Sequence, residues 1–278
     1  MTIKKFGIVS RCNNEDVLEM VRSIVHHFAT TVEIAVDQNT STSLGLEGIE
    51  SVPVDKMRDT GVEFIVSVGG DGTVLRNISR MDDPLPILGV NMGTLGFLVD
   101  VEPSDAIETI ENTLHGFQYT EHTRLAVSLN CKALPCATNE VVLITARPAK
   151  ILTFEVVVDS CKVEELRADG VVIATPTGST AYAMSAGGPI IDPRVGAVLI
   201  VPLAPFKLSA RPWVVPSNGL IKVEMTMPEK EAAIVIDGQH TYSIHKCDQI
   251  SITQATNPAR FVTTPLSGFY QRVQNKLR

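Results

Sequence analysis

Short apolar runs alternate with amphipathic stretches along the first part of the chain. Residues 6–10, 32–36, 64–68 and 86–90 have the length and hydrophobicity of buried strands. Between the first two, residues 15–28 place Val17, Val21, Ile24 and Phe28 on one face of a helix, with Glu15 and Asp16 in its first turn, where the helix dipole favours acids. Residues 74–81 and 106–114 predict two further helices. Strand and helix in alternation predict a parallel sheet with binding at the carboxyl ends of its strands. Past Tyr119 the pattern changes. Runs such as 154–158, 220–225 and 232–236 are of strand length and rich in β-branched residues, which predicts a mostly-β second half. Phe269, Tyr270, Val273 and Leu277 then recur at helical spacing. The expected fold is an α/β N-terminal Rossmann-like domain over 1–117 and a mostly-β C-terminal domain over 118–278, with a C-terminal helix packing back on the body.

At 278 residues, with 44% apolar and 20% charged positions, the chain is long enough for two domains and too apolar for disorder. A net charge of −7, with Lys4-Lys5 as the longest basic run, disfavours nucleic acid or an anionic membrane as a partner. The five cysteines, Cys12, Cys131, Cys136, Cys161 and Cys247, form no C-x-x-C pair and are expected to be reduced thiols of a cytoplasmic protein rather than disulfides or zinc ligands. No apolar run before Arg11 has the length of a signal sequence, and the greasy stretch 197–206, broken by Pro202 and Pro205, is too short to span a bilayer.

Gly69-Gly70-Asp71-Gly72-Thr73 stands directly behind the run 64–68. Glycines let backbone N–H groups approach an anion, and the following helix turns its positive end toward it, so the turn suits a phosphoryl donor cradled by Gly70, Gly72 and Thr73. Asp71 would repel that anion unless it handles a proton or a metal ion. Gly-Gly and Asp-Gly are also ordinary turn formers, which leaves a plain strand-turn-helix corner open. The second notable stretch is 167–189. A strand at 171–174 runs into a hydroxyl- and glycine-rich turn and a short helical segment at 180–185, whose start suits a phosphate or ribose. Ala181 and Gly187 leave room for a flat ring against the backbone, and Tyr182 can stack on it. A connection with Ser/Thr caps would use the same residues. The chain lacks the P-loop pattern G-x-x-x-x-G-K-[ST].

Five blocks together resemble the NAD kinase family, in the family's order: 69–73, 89–98 (Gly-Val-Asn-Met-Gly-Thr-Leu-Gly-Phe-Leu), Asn139-Glu140-Val141, 167–189, and Asp237-Gly238-Gln239. The first is shared with diacylglycerol, sphingosine and phosphofructokinase-type enzymes; the fourth is not. The resemblance implies transfer of a phosphoryl group from ATP, or from polyphosphate, to the adenosine 2′-hydroxyl of NAD, giving NADP. Mg²⁺ or another divalent cation would bridge the donor oxygens, with no side chain assigned as its direct ligand. By the same resemblance Asp71 is the base facing the hydroxyl, with Gly72 beside it, and Asn139 and Glu140 hold the ribose and adenine. Asp169, Thr180, Ala181, Tyr182 and Ser185 line the dinucleotide pocket, with Arg76, Lys150, Arg167, Ala204 and Gln239 as further NAD contacts. The three basic residues also suit a solvated surface, and Gln239 a plain hairpin turn. A homo-oligomer, dimer or tetramer, formed through the β-rich half is implied as well. Lys246-Cys247-Asp248 departs from the family's usual Gly-Asp before a late strand. Two other readings remain: a lipid kinase of the diacylglycerol or sphingosine type, which needs an apolar cleft, and a non-enzymatic NAD(P)-sensing module, which has no use for Asp71.

Overall fold

The computed structural model describes residues 3–46, 48–93, 96–147, 150–226, 231–245, 247–264 and 268–277. The chain divides into two compact units, 1–121 with 259–278, and 122–258.

The first unit contains β1 (Lys5–Ser10), α1 (Glu15–Phe28), β2 (Glu33–Val36), α2 (Gln38–Leu44), β3 (Glu50–Ser51), β4 (Phe64–Gly69), α3 (Asp71–Ser79), β5 (Ile87–Asn91), α4 (Ala106–Leu114) and β6 (Tyr119–His122), of which α2, β3 and β6 are not among the predicted elements. The sheet runs β3-β2-β1-β4-β5, continues with Ala259–Val262, and ends on β6. Its pairings from β3 to Ala259–Val262 are parallel. One apolar cluster joins Val17, Val21, Ile24 and Phe28 of α1 to Phe6 and Phe64, whose rings stack at 5.5 Å. A second joins Val74 and Ile78 of α3 to Ile65 and Ile87. The Asn14 side chain caps α1 by accepting the Asp16 N–H. Helix α3 begins three residues earlier than its apolar spacing predicts, because Asp71-Gly72-Thr73 form its first turn behind the N-cap Gly70.

The expected division at 117 gave the whole C-terminal segment to the β-rich half. Instead Phe261 pairs with Ile87 of β5, and the helix Phe269–Lys276 is tied to the first unit by Arg272 on Asp100 (3.0 Å) and Lys276 over the Phe97 ring (4.1 Å). No described residue of this helix is buried, so charge holds it more than the apolar face its spacing suggested.

The second unit contains β7 (Leu125–Leu129), β8 (Lys132–Ala137), β9 (Glu140–Thr145), β10 (Leu152–Val158), β11 (Cys161–Ala168), β12 (Gly170–Ala174), the short helix α5 (Tyr182–Ser185), β13 (Ala197–Leu203), β14 (Trp213–Pro216), β15 (Ile221–Met225), β16 (Ala232–Ile236), β17 (His240–Ile244) and β18 (Ile250–Gln254). They build two six-stranded sheets, β11-β10-β15-β18-β7-β8 and β14-β13-β12-β9-β16-β17. Phe154, Val156, Val223 and Ile252 of the first sheet share one core with Val171, Ile173, Val198 and Ile234 of the second, which makes a sandwich. Val172, Ala174, Leu199 and Val201 face the other way and pack with Ala183 of α5.

Candidate functional site

The glycine turn sits where β4 passes into α3, at the carboxyl end of a central parallel strand. Its glycines differ in what the fold asks of them. A Cβ on Gly69 would lie 2.4 Å from Thr73 Oγ1, so close packing excludes a side chain there. Gly70 and Gly72 have negative φ, and a Cβ on either would meet nothing within 4 Å. Space beside the turn, rather than a left-handed backbone, is what these two glycines provide. No side chain caps the helix at Gly70.

Asp71 is half-buried and points its carboxylate at the next loop. Oδ2 accepts the Phe97 N–H at 2.7 Å, and Oδ1 accepts those of Leu98 and Val99 at 3.0 and 3.2 Å. Gly96 lies so close that a Cβ there would fall 2.1 Å from Oδ1. The block 89–98 thus serves to hold Asp71, although its Thr94 and Leu95 lie outside the described residues. Two clefts flank the turn. One of about 360 Å³ is lined by Arg11, Gly70, Asp71, Gly96 and Lys276, and one of about 590 Å³ by Arg11, Gly70, Gly72, Arg76 and Asn77 among others. Larger depressions at Ile3–Glu50 and Asp105–Thr264, of about 740 and 720 Å³, gather no comparable set of charged groups around a glycine turn.

In the second unit, Asp237 organises the other candidate residues. It sits in the turn between β16 and β17 with a left-handed φ of 48°, followed by Gly238 at 67°. Its buried carboxylate accepts the N–H groups of Thr138 (2.8 Å), Asn139 (2.8 Å) and Glu140 (3.0 Å), which fixes the start of β9. The loop after β12 is tied to the same place. The Thr175 N–H donates to the Asn139 carbonyl (2.9 Å), the Thr175 hydroxyl donates to the Thr138 carbonyl (2.6 Å), and the Gly178 N–H donates to Thr175 Oγ1 (3.0 Å). A Cβ on Gly178 would lie 2.1 Å from the Asn139 carbonyl oxygen. Thr180 is buried, its hydroxyl donating to the Thr177 carbonyl; Ala181 is half-buried, and Tyr182 and Ser185 are exposed.

Glu140 is buried, and its Oε2 has no hydrogen-bond partner. Burial first, and then the charge of Asp237, push its pKa up to about 7, opposed by the Tyr182 backbone N–H. Burial also raises Asp237, against three backbone N–H bonds and the Arg124 guanidinium. Glu140 is therefore the member of the pair that takes the proton, since only it has an unpartnered oxygen.

The structure divides the expected NAD contacts between the two ends of β12. Asn139, Glu140, Thr180, Ala181, Tyr182 and Gln239 belong to the end where Ala174 pairs with Glu140. Arg167, Asp169 and Ala204 belong to the other, where Gly170 pairs with Leu203, and Lys150 follows the same end of β9. At 3.3 Å per residue the ends, four residue steps apart, are separated by about 13 Å. Arg167 lies over the Phe206 ring at 4.8 Å, and Arg76 is on α3 in the first unit. Sequence reasoning missed Thr175 and the clamp role of Asp237, as well as Arg11, Asn77 and Lys276. The turn-forming Asp237-Gly238 was visible, but nothing local marks a carboxylate that reaches a distant strand. Of the departing Lys246-Cys247-Asp248 turn, Lys246 lies outside the described residues; Asp248 accepts the His245 N–H at 2.7 Å and the Asn130 amide at 2.6 Å.

Residues 6–118 match the model of the ATP-NAD kinase N-terminal domain, and residues 138–264 that of the ATP-NAD kinase C-terminal domain. A NAD kinase of Methanosarcina acetivorans is 60% identical over 277 residues, covering 100% of both chains. The solved NAD kinase of Archaeoglobus fulgidus is 27% identical with a TM-score of 0.78, covering 98% of this chain and 97% of that one. A yeast NADH kinase at 22% identity and a TM-score of 0.90, covering 100% of this chain and 88% of that one, shares the fold. The glycine turn on a parallel sheet, joined to a β-sandwich, is that of a phosphotransferase without a P-loop. The chain belongs to the NAD kinase family and is a kinase acting on NAD. Among its described residues, no helix is long and apolar enough to cross a membrane.

Proposed function

We propose that the chain transfers the terminal phosphoryl group of ATP to the adenosine 2′-hydroxyl of NAD, giving NADP. One observation carries the donor half: Gly70 and Gly72 leave open space at an uncapped helix start although the fold requires neither to be glycine. Phosphoryl transfer depends on positioning and charge neutralisation, which such a turn supplies through Gly70, Gly72 and Thr73. The Archaeoglobus fulgidus enzyme, solved in complex with ATP, supports ATP as donor. A carboxylate offers about four lone-pair sites, so Asp71, accepting three N–H groups, keeps one for the acceptor hydroxyl. Asp71 takes the hydroxyl proton as the ribose oxygen attacks the terminal phosphorus and ADP leaves.

Asn139 and Glu140 hold the adenosine, with Thr180, Ala181, Tyr182, Ser185 and Gln239 around the dinucleotide. Lys150, Arg167, Asp169 and Ala204, at the far end of β12, contact NAD from a second copy of the chain in a dimer or tetramer. A divalent cation enters on the donor phosphates as part of the substrate. The described residues contain no group of three or more His, Cys, Asp or Glu suited to a metal ion, and the Asp71 oxygens face backbone N–H groups. The five cysteines are free, in keeping with a reducing compartment such as the cytoplasm. The acceptor assignment is tested with Glu140→Ala, which is expected to weaken NAD binding about tenfold by calorimetry and to leave the KM for ATP within about twofold. Parental NAD affinity in this variant would remove Glu140 from the acceptor site.

A further inference from the structure

The loop that holds Asp71 has itself to be held. Residues 97–100 lie in neither helix nor strand, yet three successive N–H groups, those of Phe97, Leu98 and Val99, converge on the Asp71 carboxylate. Backbone pairing resumes at Val101, whose N–H donates to the Gly89 carbonyl (3.2 Å) and whose carbonyl accepts the Asn91 N–H (2.8 Å). A curl of N–H groups keeps its aim only if side chains fix it. Val99 is buried against Gly89, where a Cβ would fall 2.5 Å from Val99 Cγ1. Further anchors come from the far end of the chain. The Thr264 hydroxyl and Arg272 Nη1 donate to Asp100 Oδ2 at 2.9 and 3.0 Å, and the Lys276 ammonium lies 4.1 Å from the centre of the Phe97 ring. The Asp100 and Arg272 side chains are 14% and 20% exposed, so this ion pair is screened less than one at the surface. The helix Phe269–Lys276 adds no buried residue to the core among those described, and its ion pair and ring contact both end on the loop 97–100.

We propose that Arg272, together with Thr264, is a positioning residue for phosphoryl transfer: through Asp100 it fixes the loop whose N–H groups aim the Asp71 carboxylate at the acceptor hydroxyl. The proposal rests on Asp71 as the base and adds the C-terminal helix to the machinery of the reaction. Arg272 and Asp100 act on the orientation of the base rather than on either substrate. Losing their contact therefore slows the chemical step and spares binding, since a small misplacement of a reacting group is enough to lower its rate.

The test uses the full chain in steady-state kinetics with NAD and Mg²⁺-ATP, at a temperature where every variant compared is folded. Arg272→Gln removes the charge and is expected to lower kcat about tenfold or more, while the KM for each substrate stays within about twofold. Arg272→Lys should restore most of that kcat, since a charged donor to Asp100 remains. Asp100→Asn should match Arg272→Gln, and the double variant should be no slower than the slower single one. Hydrogen exchange gives a readout independent of activity: the Phe97, Leu98 and Val99 amides should exchange about tenfold faster in Arg272→Gln, with those of β4 and β5 unchanged. If Asp100→Asn does not fold, the Arg272 variants decide. Parental kcat in Arg272→Gln, while Asp71→Asn has lost activity, would overturn the clamp and leave Asp71 as the base. Parental kcat in both would overturn both. A raised KM for ATP at parental kcat would place Arg272 in donor binding, and a lowered melting temperature at parental kcat would make the ion pair structural; either result also overturns the proposal.

Discussion

Asp71 drew notice in the sequence because a carboxylate among phosphate-binding glycines is electrostatically wrong unless it has work to do. Its three backbone bonds to residues 97–99 give it work in the fold as well, because an amide in its place turns an N–H donor toward a loop N–H. Asp71→Asn is therefore expected to lose about 1–3 kcal/mol of stability as well as about 10²–10⁴-fold in kcat, the latter measured well below its own melting temperature. Retention of more than about a tenth of parental kcat would exclude proton abstraction by Asp71. Glu140 makes a second prediction that no local pattern contains, since its partner Asp237 arrives from another hairpin. Its pKa is raised from 4.5 to about 7 on folding, so the folded protein binds the extra proton between those values. Stability from this group is full below about pH 4.5, declines as pH rises, and is gone above about pH 7, a change on the order of 3 kcal/mol. Thermal melts of the unliganded chain at pH 5.5 and pH 8 should differ less for Glu140→Gln than for the parent. Equal differences would mean that Glu140 is not the protonated group.

Helices α1 and α4 appeared in the sequence to the residue, because acids in the first turn and regular apolar spacing mark them locally. The stretch after β12 did not. A helix at 180–185 was expected, whereas a 3-10 turn at Thr177–Thr180 precedes the four-residue α5, set by hydrogen bonds to Thr138 and Asn139 on β9. Local propensity cannot register partners that far away. The glycines test this division between fold and ligand. Gly178→Ala forces a Cβ against the Asn139 carbonyl and should cost several kcal/mol of stability, read as a fall in the urea midpoint. Gly72→Ala, inside α3 and facing open space, should keep or raise the midpoint while ATP affinity falls. Equal stability losses in the two variants would make Gly72 a structural residue.

The class of each half was legible because strand-helix alternation and β-branched runs are properties of the whole stretch. The return of Ala259–Val262 to the first sheet was not, since a pairing with β5 leaves no trace in composition. Nor did the sequence reveal that β12 holds the expected NAD contacts at opposite ends. That separation, together with exposed Trp213 and Val214 on the edge strand β14, supports association through the β-rich half. Light scattering of the full chain is expected to give a dimer or tetramer mass, and Val214→Lys to shift it toward the monomer; a monomeric parent would leave Lys150, Arg167, Asp169 and Ala204 without a role in NAD binding.

Phosphoryl transfer to NAD is tested most directly by identifying the product. The chain is incubated with Mg²⁺, ATP and NAD, and the dinucleotide fraction is analysed by mass spectrometry and phosphorus NMR. The expected product carries one added phosphate, a monoester on the adenosine 2′-oxygen, formed together with an equal amount of ADP. Bound NAD that is never phosphorylated, or a phosphate at any other position, would contradict the assignment of Asp71, Asn139 and Glu140.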